Sequence, residues 1–257
     1  MCKGNMNEKS KKLAELIDES SMAVAFTGAG ISTECGIPDF RSPGGFWSKN
    51  KPVYFDDFVR DPDVRREGWK RFLKLRDEHL DVKPGRGHKA LAHLHKHGKL
   101  RNIITQNIDN LHQASGVPVQ DIVELHGNGT YAKCLECAAR YELDWCAERL
   151  AESNECPRCQ ACGGFVKSAT ISFGQAMPRE EMARAEFLAT SCDLILAIGT
   201  SLVVYPASGI PIIACKNGAK LVIINRDPTE LDSLASLVIN EDIGDVMEPF
   251  LTLYARG

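Results

Sequence analysis

Met22-Ala-Val-Ala-Phe26-Thr-Gly28-Ala-Gly30-Ile-Ser32 changes character halfway, and that change decides the fold. The first five residues are an apolar run of strand length. The rest hold two glycines among small residues, which makes a tight turn and then a helix start. Strand, glycine turn and helix start in this order are the layout of a nucleotide-binding βα unit. Glycines there let a backbone approach a pyrophosphate at a helix N-terminus. A plain tight turn would need the same residues, so the turn alone is unspecific. The third position of Gly-x-Gly-x-x-Gly is Thr33, which counts against an ordinary hydride-transferring dehydrogenase.

Four more apolar runs repeat the form: Asn102–Thr105, Ile122–Leu125, Leu194–Ile198 and Leu221–Ile224. Each ends in a polar or glycine cluster: Gln-Asn-Ile-Asp, His-Gly-Asn, Gly-Thr-Ser and Asn-Arg-Asp. Continuous apolar runs mark strands buried on both faces, and ligands bind beyond the carboxyl ends of such strands. The reading is an α/β fold with a doubly wound parallel sheet, its polar clusters converging on one crevice. Residues 7–20 read as a helix before the first strand. Two insertions, 42–82 with Phe46, Trp47, Phe55, Phe58, Trp69 and Phe72, and 128–170 with the paired cysteines, form a smaller lobe. The large domain is then 7–41, 83–127 and 171–257.

Ten cysteines are many for a chain with no apolar leader in its first twenty residues. Five stand in Cys-x-x-Cys spacing: Cys134, Cys137, Cys156, Cys159 and Cys162. In a reducing compartment that pattern favours metal over disulfide. Four thiolates would close a tetrahedral zinc shell and leave no place for a reacting water, so the zinc is structural. Which pair follows Cys134/Cys137 stays open. Cys156/Cys159 gives the shorter loop, whereas Gly163-Gly164 after Cys162 suits a zinc knuckle.

The bulk composition excludes other classes. A net charge of −3 and the absence of a long Lys/Arg run give no footprint for direct nucleic-acid binding. The apolar runs are far shorter than a bilayer requires. A cytoplasmic location is expected, with no membrane partner.

Among the histidines, His126 is the one at the carboxyl end of an apolar run. Imidazole titrates near neutrality and can take a proton from a sugar hydroxyl. A structural strand-end histidine is the plain alternative. His88, His93, His95 and His97 fall on a helix; His93 and His97 have the i,i+4 spacing of a metal pair, but solvated or capping roles are expected there. Gln106, Asn107 and Asp109 could hold an amide-bearing ring and ribose hydroxyls, though each alone is a common turn former.

Taken together and in order, Gly28-Ala-Gly-Ile-Ser32, Gly36-Ile-Pro-Asp-Phe-Arg41, Thr105-Gln-Asn-Ile-Asp109, Leu125-His-Gly127, the Cys pairs, Phe173-Gly174, Gly199-Thr-Ser201 and Ile224-Asn225 resemble the sirtuins, NAD-dependent protein-lysine deacylases. The resemblance implies a Rossmann-type large domain, a small zinc-binding and helical lobe, and NAD in the cleft between them as a consumed co-substrate. In such enzymes the acyl oxygen of the modified lysine attacks the ribose carbon as nicotinamide leaves. A histidine, here His126, then draws a proton from a ribose hydroxyl so that it can attack the imidate. Free lysine and O-acetyl-ADP-ribose are the products of deacetylation.

Carried over by position, Gly28, Ala29, Gly30 and Ser32 serve the pyrophosphate, and Asp39, Phe40 and Arg41 cover the nicotinamide end. Gln106, Asn107 and Asp109 hold the nicotinamide ribose and carboxamide. Gly199, Thr200, Ser201, Asn225 and Asp242 serve the adenosine half. The resemblance also assigns zinc to Cys134, Cys137, Cys159 and Cys162, leaving Cys156 spare. It adds an acetyl-lysine protein substrate as a strand between Phe173-Gly174 and Val203-Val204. Gln175 departs from the family's usual Glu after Phe-Gly. Some sirtuins that remove acidic acyl groups carry Tyr and Arg three residues apart; the matching positions are Phe72 and Leu75, with Arg76 one helical step away. Short neutral acyl groups, acetyl first, are therefore expected. The rivals are a protein mono-ADP-ribosyltransferase and a non-catalytic zinc-bearing module.

Overall fold

The computed structural model describes residues 7–39, 45 and 51–254. Six strands form one parallel sheet in the order β3-β2-β1-β7-β8-β9. They are β1 Ala23–Thr27, β2 Asn102–Thr105, β3 Ile122–Glu124, β7 Leu194–Ile198, β8 Lys220–Ile224 and β9 Leu237–Ile239. The registers Thr27↔Thr105, Thr27↔Ile198, Ile198↔Ile224 and Ile224↔Ile239 bring the carboxyl ends of five strands level. The chain leaves β1 on one side for β2 and returns on its other side as β7. That reversal opens a crevice at the carboxyl edge.

Apolar side chains alternate between the two faces of the sheet. Ala23, Ala25, Ile103, Leu194 and Leu196 pack with Leu13, Leu16 and Ile17 of the helix Glu8–Glu19 and with Leu91 and Leu94 of the helix Arg86–Lys96. Val24, Phe26, Ile104, Val123 and Ile195 face the opposite way. They meet Ala185 and Leu188 of the helix Arg179–Ser191 and Ile210 and Ala214 of the helix Gly209–Lys216. Both faces are thus covered by helices, as the apolar runs predict. The first strand runs one residue later than expected and β3 stops before Leu125; β9 was not expected at all.

A second sheet is antiparallel, in the order β5-β4-β6, from β4 Gly127–Cys134, β5 Arg140–Glu142 and β6 Val166–Thr170. Its apolar cluster joins the two insertions: Phe58, Trp69 and Leu73 pack with Ala132, Cys146, Leu150 and Val166. Trp69 and Leu73 lie on the helix Pro62–Glu78, whose start is set by Pro62 and by the Asp61 carboxylate capping the amides of Asp63 and Val64. The Trp69 indole N–H donates to Val166 O at 3.2 Å, which ties that helix to β6.

The helix Arg86–Lys96 carries His88, His93 and His95, with His97 as its C-cap. His88 corrects the expectation of solvated or capping histidines, because it is fully buried. No helix among the described residues is long and apolar enough to cross a membrane.

Candidate active site

A cleft of about 530 Å³ runs along the carboxyl edge of the large sheet and continues under the smaller lobe. Its floor is a contact between two turns, one after β1 and one after β7. Gly28 N–H donates to Ile198 O at 3.0 Å and Gly30 N–H to Gly199 O at 2.8 Å. A Cβ on Gly28 would lie 2.8 Å from Gly199 O, and one on Gly30 would lie 2.7 Å from Gly199 Cα. Gly199 itself has φ +63°, and a Cβ there would lie 2.3 Å from the Ile31 amide. The glycines of the quoted stretch are therefore required by turn-to-turn packing, besides any approach of a ligand. Thr33, in the position of the missing third glycine, donates its hydroxyl to Gly30 O within the 3-10 segment Ala29–Cys35.

Gln106 and Asn107 follow β2 into the same cleft. Gln106 Nε2 donates to Thr200 Oγ1 at 2.9 Å, which links the ends of β2 and β7 across β1. Asn107 Nδ2 donates to Gly28 O at 3.1 Å and to Ser32 Oγ at 3.3 Å, and Ser32 donates to Asp109 Oδ2 at 2.7 Å. Ala29, Gly30, Asp39, Gln106, Asn107 and His126 line the cleft. Gly199, Thr200, Ser201, Asn225 and Asp242 line it as well. Ser32 and Asp109 stand behind this wall, where they orient Asn107. Phe40 and Arg41, like Phe46 and Trp47, lie outside the described residues.

His126 sits in the turn that joins β3 of the large sheet to β4 of the small one. Gly127 makes that turn possible: its φ is +73°, and a Cβ would lie 2.0 Å from Ala169 O. The His126 carbonyl accepts from Ile171 N–H at 2.8 Å, and its Nδ1 lies 2.9 Å from Gln106 O. A carbonyl can only accept, so Nδ1 carries the hydrogen and Nε2 is the basic nitrogen. Backbone thus holds the residue at two points, Gln106 O at the ring and Ile171 N–H at the main chain.

Behind Asn107 lies a buried pair that the sequence did not single out together. The rings of His88 and His112 are 4.9 Å apart. His88 Nε2 is 3.5 Å from Ser32 Oγ, and His112 Nε2 is 2.9 Å from Thr27 Oγ1. Burial pushes His88 below the ordinary histidine range, against the pull of Asp109 and Glu34. Burial, with His88 beside it, drives His112 well below that range.

Under the small lobe the cleft is apolar, bordered by Phe58, Trp69, Phe72, Leu75 and Ile171. Arg76 points elsewhere, bonded to Asp144 at 2.9 Å and Asp77 at 2.7 Å. Three cations also line the cleft here: Lys51, which is exposed, Arg71 and Lys167. Arg71 is paired with Glu67 at 2.6 Å, and the buried Lys167 donates to Thr170 O at 2.6 Å. Burial lowers the Lys167 ammonium to about 8.

The sulfurs of Cys134, Cys137, Cys159 and Cys162 all lie within 4.8 Å of one another, the one group among the described residues placed to hold a metal ion. Cys134 to Cys162 and Cys137 to Cys159 are both 3.5 Å. A tetrahedral zinc–thiolate site needs sulfurs roughly 3.8 Å apart, so the donors fit zinc. The Tyr141 hydroxyl donates to Cys159 Sγ at 3.1 Å, and Glu136 N–H lies 3.4 Å from Cys134 Sγ. Cys156 is outside the group, half-buried against the apolar cluster of the small lobe.

Residues 28–206 match the family model described as "Sir2 family". An NAD-dependent protein deacetylase of Rhodopseudomonas palustris is 56% identical over 241 residues, covering 94% of this chain and 95% of that protein. Among solved structures, a Sir2 protein with a p53 peptide and NAD+ superposes with a TM-score of 0.86 at 34% identity, covering 95% of this chain and 98% of that one. A Sir2 variant with a deacetylated p53 peptide and 3'-O-acetyl-ADP-ribose gives 0.84 at 33% identity, with the same coverage. Sheet order, the glycine turns, the strand-end amides and the thiolate cluster thus agree with likeness over nearly the whole length, and the chain belongs to the Sir2 family, the sirtuins.

Proposed function

We propose that the chain is an NAD-dependent protein-lysine deacetylase that moves the acetyl group of acetyl-lysine to ADP-ribose and releases nicotinamide and O-acetyl-ADP-ribose. The observation that carries this reading is His126, fixed by Gln106 O with Nε2 as its basic nitrogen, in one cleft with Asn107 and the Gly28–Gly30 turn. NAD, when bound, supplies the ribose carbon that receives the acyl oxygen and the hydroxyls to which the acetyl group passes. His126 takes the proton from a ribose hydroxyl. Gly28, Ala29 and Gly30 hold the diphosphate, and Gly199, Thr200, Ser201, Asn225 and Asp242 the adenosine half. Gln106 and Asn107 hold the nicotinamide ribose and carboxamide, with Ser32 and Asp109 fixing Asn107. Asp39, Phe40 and Arg41 cover the nicotinamide end.

Cys134, Cys137, Cys159 and Cys162 hold one structural zinc. The protein substrate adds as a strand between Phe173-Gly174 and Val203-Val204; Phe173 and Val203 are exposed, which supports docking there. Segments 7–41, 83–127 and 171–257 make the large domain, and 42–82 with 128–170 the small one, a division supported by the apolar cluster that the two insertions share. A cytoplasmic location, without nucleic-acid or membrane partners, fits the net charge of −3 and four cysteines gathered as for a metal in place of disulfides.

The test is incubation of purified protein with an acyl-lysine peptide panel, with and without NAD, and mass spectrometry of the products. NAD-dependent loss of acetyl with formation of O-acetyl-ADP-ribose is expected. ADP-ribose attached to protein without deacetylation would make it a mono-ADP-ribosyltransferase. No nicotinamide release would make it a binding module.

A further inference from the structure

At the adenosine end of the cleft, one arginine is ringed by four carboxylates. Arg86 Nε donates to Glu34 Oε2 at 3.1 Å, its Nη1 to Asp245 at 2.6 Å and to Glu248 at 3.2 Å, and its Nη2 lies 3.5 Å from Asp242. Glu34 belongs to the segment Ala29–Cys35, directly after the Gly28–Gly30 turn. Its other oxygen accepts from Gly87 N–H at 3.1 Å, and so caps a helix whose own N-cap, Gly85, has no side chain to do it. Asp242 in turn caps the helix Ile243–Met247 through the Asp245 amide. One chain of contacts therefore runs from the diphosphate turn through Glu34 and Arg86 to the turn Asp242–Gly244. Glu34, Asp242 and Gly244 all line the cleft.

Two glycines make room for the pair. A Cβ on Gly85 would lie 2.4 Å from Glu34 Oε1. One on Gly244 would lie 2.3 Å from Arg86 Nη2 and 2.4 Å from Glu34 Oε2. Gly85 has φ −79°, which any residue adopts, so space and not backbone freedom calls for glycine there. Gly244 is the second residue of the helix Ile243–Met247 and has no left-handed backbone, so space calls for glycine there too.

We propose that Glu34 and Arg86 are positioning residues for NAD, holding the Asp242–Gly244 turn at a fixed span from the Gly28–Gly30 turn before the dinucleotide arrives. The inference rests on the NAD-cleft reading above. Without the guanidinium, Glu34, Asp245 and Glu248 are like charges with nothing between them, Asp242 keeps only Arg226 at 3.9 Å, and the turn moves outward. Binding then carries the cost of restoring the span. Neither residue touches a reacting atom, so the loss falls on NAD affinity and leaves the chemical step alone. A lysine keeps the charge but not the fork that reaches several carboxylates at once.

The experiment measures NAD KM, peptide KM and kcat, with ADP-ribose affinity by calorimetry, for the zinc-loaded full chain. Arg86→Met is expected to raise NAD KM and ADP-ribose Kd about tenfold, or roughly 1.4 kcal/mol, with kcat at saturating NAD within about twofold and peptide KM unchanged. Arg86→Lys should recover part of the loss. Gly244→Ala keeps every charge and pushes the pair apart, so it should weaken ADP-ribose in the same direction; with Arg86→Lys it also carries the test if Arg86→Met does not fold. The proposal is overturned if Arg86→Lys and Gly244→Ala both bind ADP-ribose as wild type does, or if kcat falls as far as affinity in step with a lowered Tm. Wild-type protein that binds no ADP-ribose would instead sink the cleft reading itself.

Discussion

The two sheets of this molecule are held together by different means. In the large sheet, β1 and β7 are buried along their whole length, and helices cover both faces. In the small sheet, Gly127–Cys134 alternates between buried and open positions, and β5 is open or half-open throughout. Two residues of the small lobe's apolar cluster, Cys134 and Cys159, also belong to the thiolate group. A lobe this thin buries too little apolar surface to hold by packing alone, and small units commonly recruit a metal for that reason. The large sheet can therefore tolerate the loss of a functional side chain, while the small one depends on its thiolates. Chemistry is placed where the fold is self-sufficient.

The largest effect expected is on the small lobe. Changing Cys134, Cys137, Cys159 or Cys162 to Ser should lower zinc content and unfold this lobe, since structural zinc contributes on the order of 10 kcal/mol of folding energy. Cys156→Ser should keep the metal. Zinc content by mass spectrometry and protease sensitivity of residues 128–170 report this. Zinc lost from Cys156→Ser but kept in Cys162→Ser would reverse the assignment.

Next in size is a change in the large sheet that should spare folding. His126→Ala is expected to cut deacetylation by about 10²–10⁴-fold, the usual weight of a positioned general base. ADP-ribose affinity and Tm should stay near wild type. An acetyl-peptide turned over within a few-fold of wild type would remove His126 from its role.

Where the two regions meet, the acyl pocket sharpens the comparison. Acetyl-lysine peptide should exceed succinyl-lysine peptide in kcat/KM by about 10–100-fold, because a distal carboxylate would enter an apolar pocket without a partner. Of the nearby cations, Arg71 is engaged with Glu67 and Lys167 with Thr170 O, while Lys51 is exposed to water at the cleft wall. Leu75→Arg should narrow or invert the ratio. Faster turnover of the succinyl peptide by wild type would show that a cation reaches the acyl group after all.

The smallest effect is on pH. Burial holds His88 and His112 below the ordinary histidine value. The unfolded chain therefore takes up protons that the folded one refuses as pH falls through about 6.5. This contribution is complete above that value and declines as pH drops toward the folded-state values, by up to about 1.4 kcal/mol per pH unit for each histidine. Urea unfolding between roughly pH 7.5 and 5.5 measures the slope, and His112→Gln should flatten it. A slope that His112→Gln leaves unchanged would assign the effect to other groups.

Much of the large sheet is legible in the sequence because a strand buried on both faces leaves a continuous apolar run, as in Leu194-Ile-Leu-Ala-Ile198. Their polar ends converge because parallel strands share a carboxyl edge, so the sequence alone groups Gln106, His126 and Thr200. The antiparallel sheet was hidden. The polar cluster His126-Gly-Asn128 leaves no strand pattern, and β4 pairs with β6 only at Gly127 and at Ala132, Lys133 and Cys134. β9 is three residues long, too short to leave a pattern. The burial of His88 was also unreadable, since its neighbours Ser32 and His112 come from distant parts of the chain. The Glu34–Arg86 contact escaped for the same reason.

The abutment of Gly28, Gly30 and Gly199 sets a rule for redesign. These three positions bring backbone directly against backbone, with only Thr200 Cβ as a side-chain neighbour, beside Gly28. Widening the cleft by substitution cannot begin there, because every replacement adds atoms where none fit. Synthetic dinucleotides with bulk on the bridging phosphates should be refused by every variant of this scaffold. Peptides altered at the acyl group would, on the proposed reading, face Trp69, Phe72 and Leu75, cleft side chains that can be shortened one at a time. Evolving new acyl preferences is accordingly a matter of that helix, whereas a new dinucleotide backbone would call for a different scaffold.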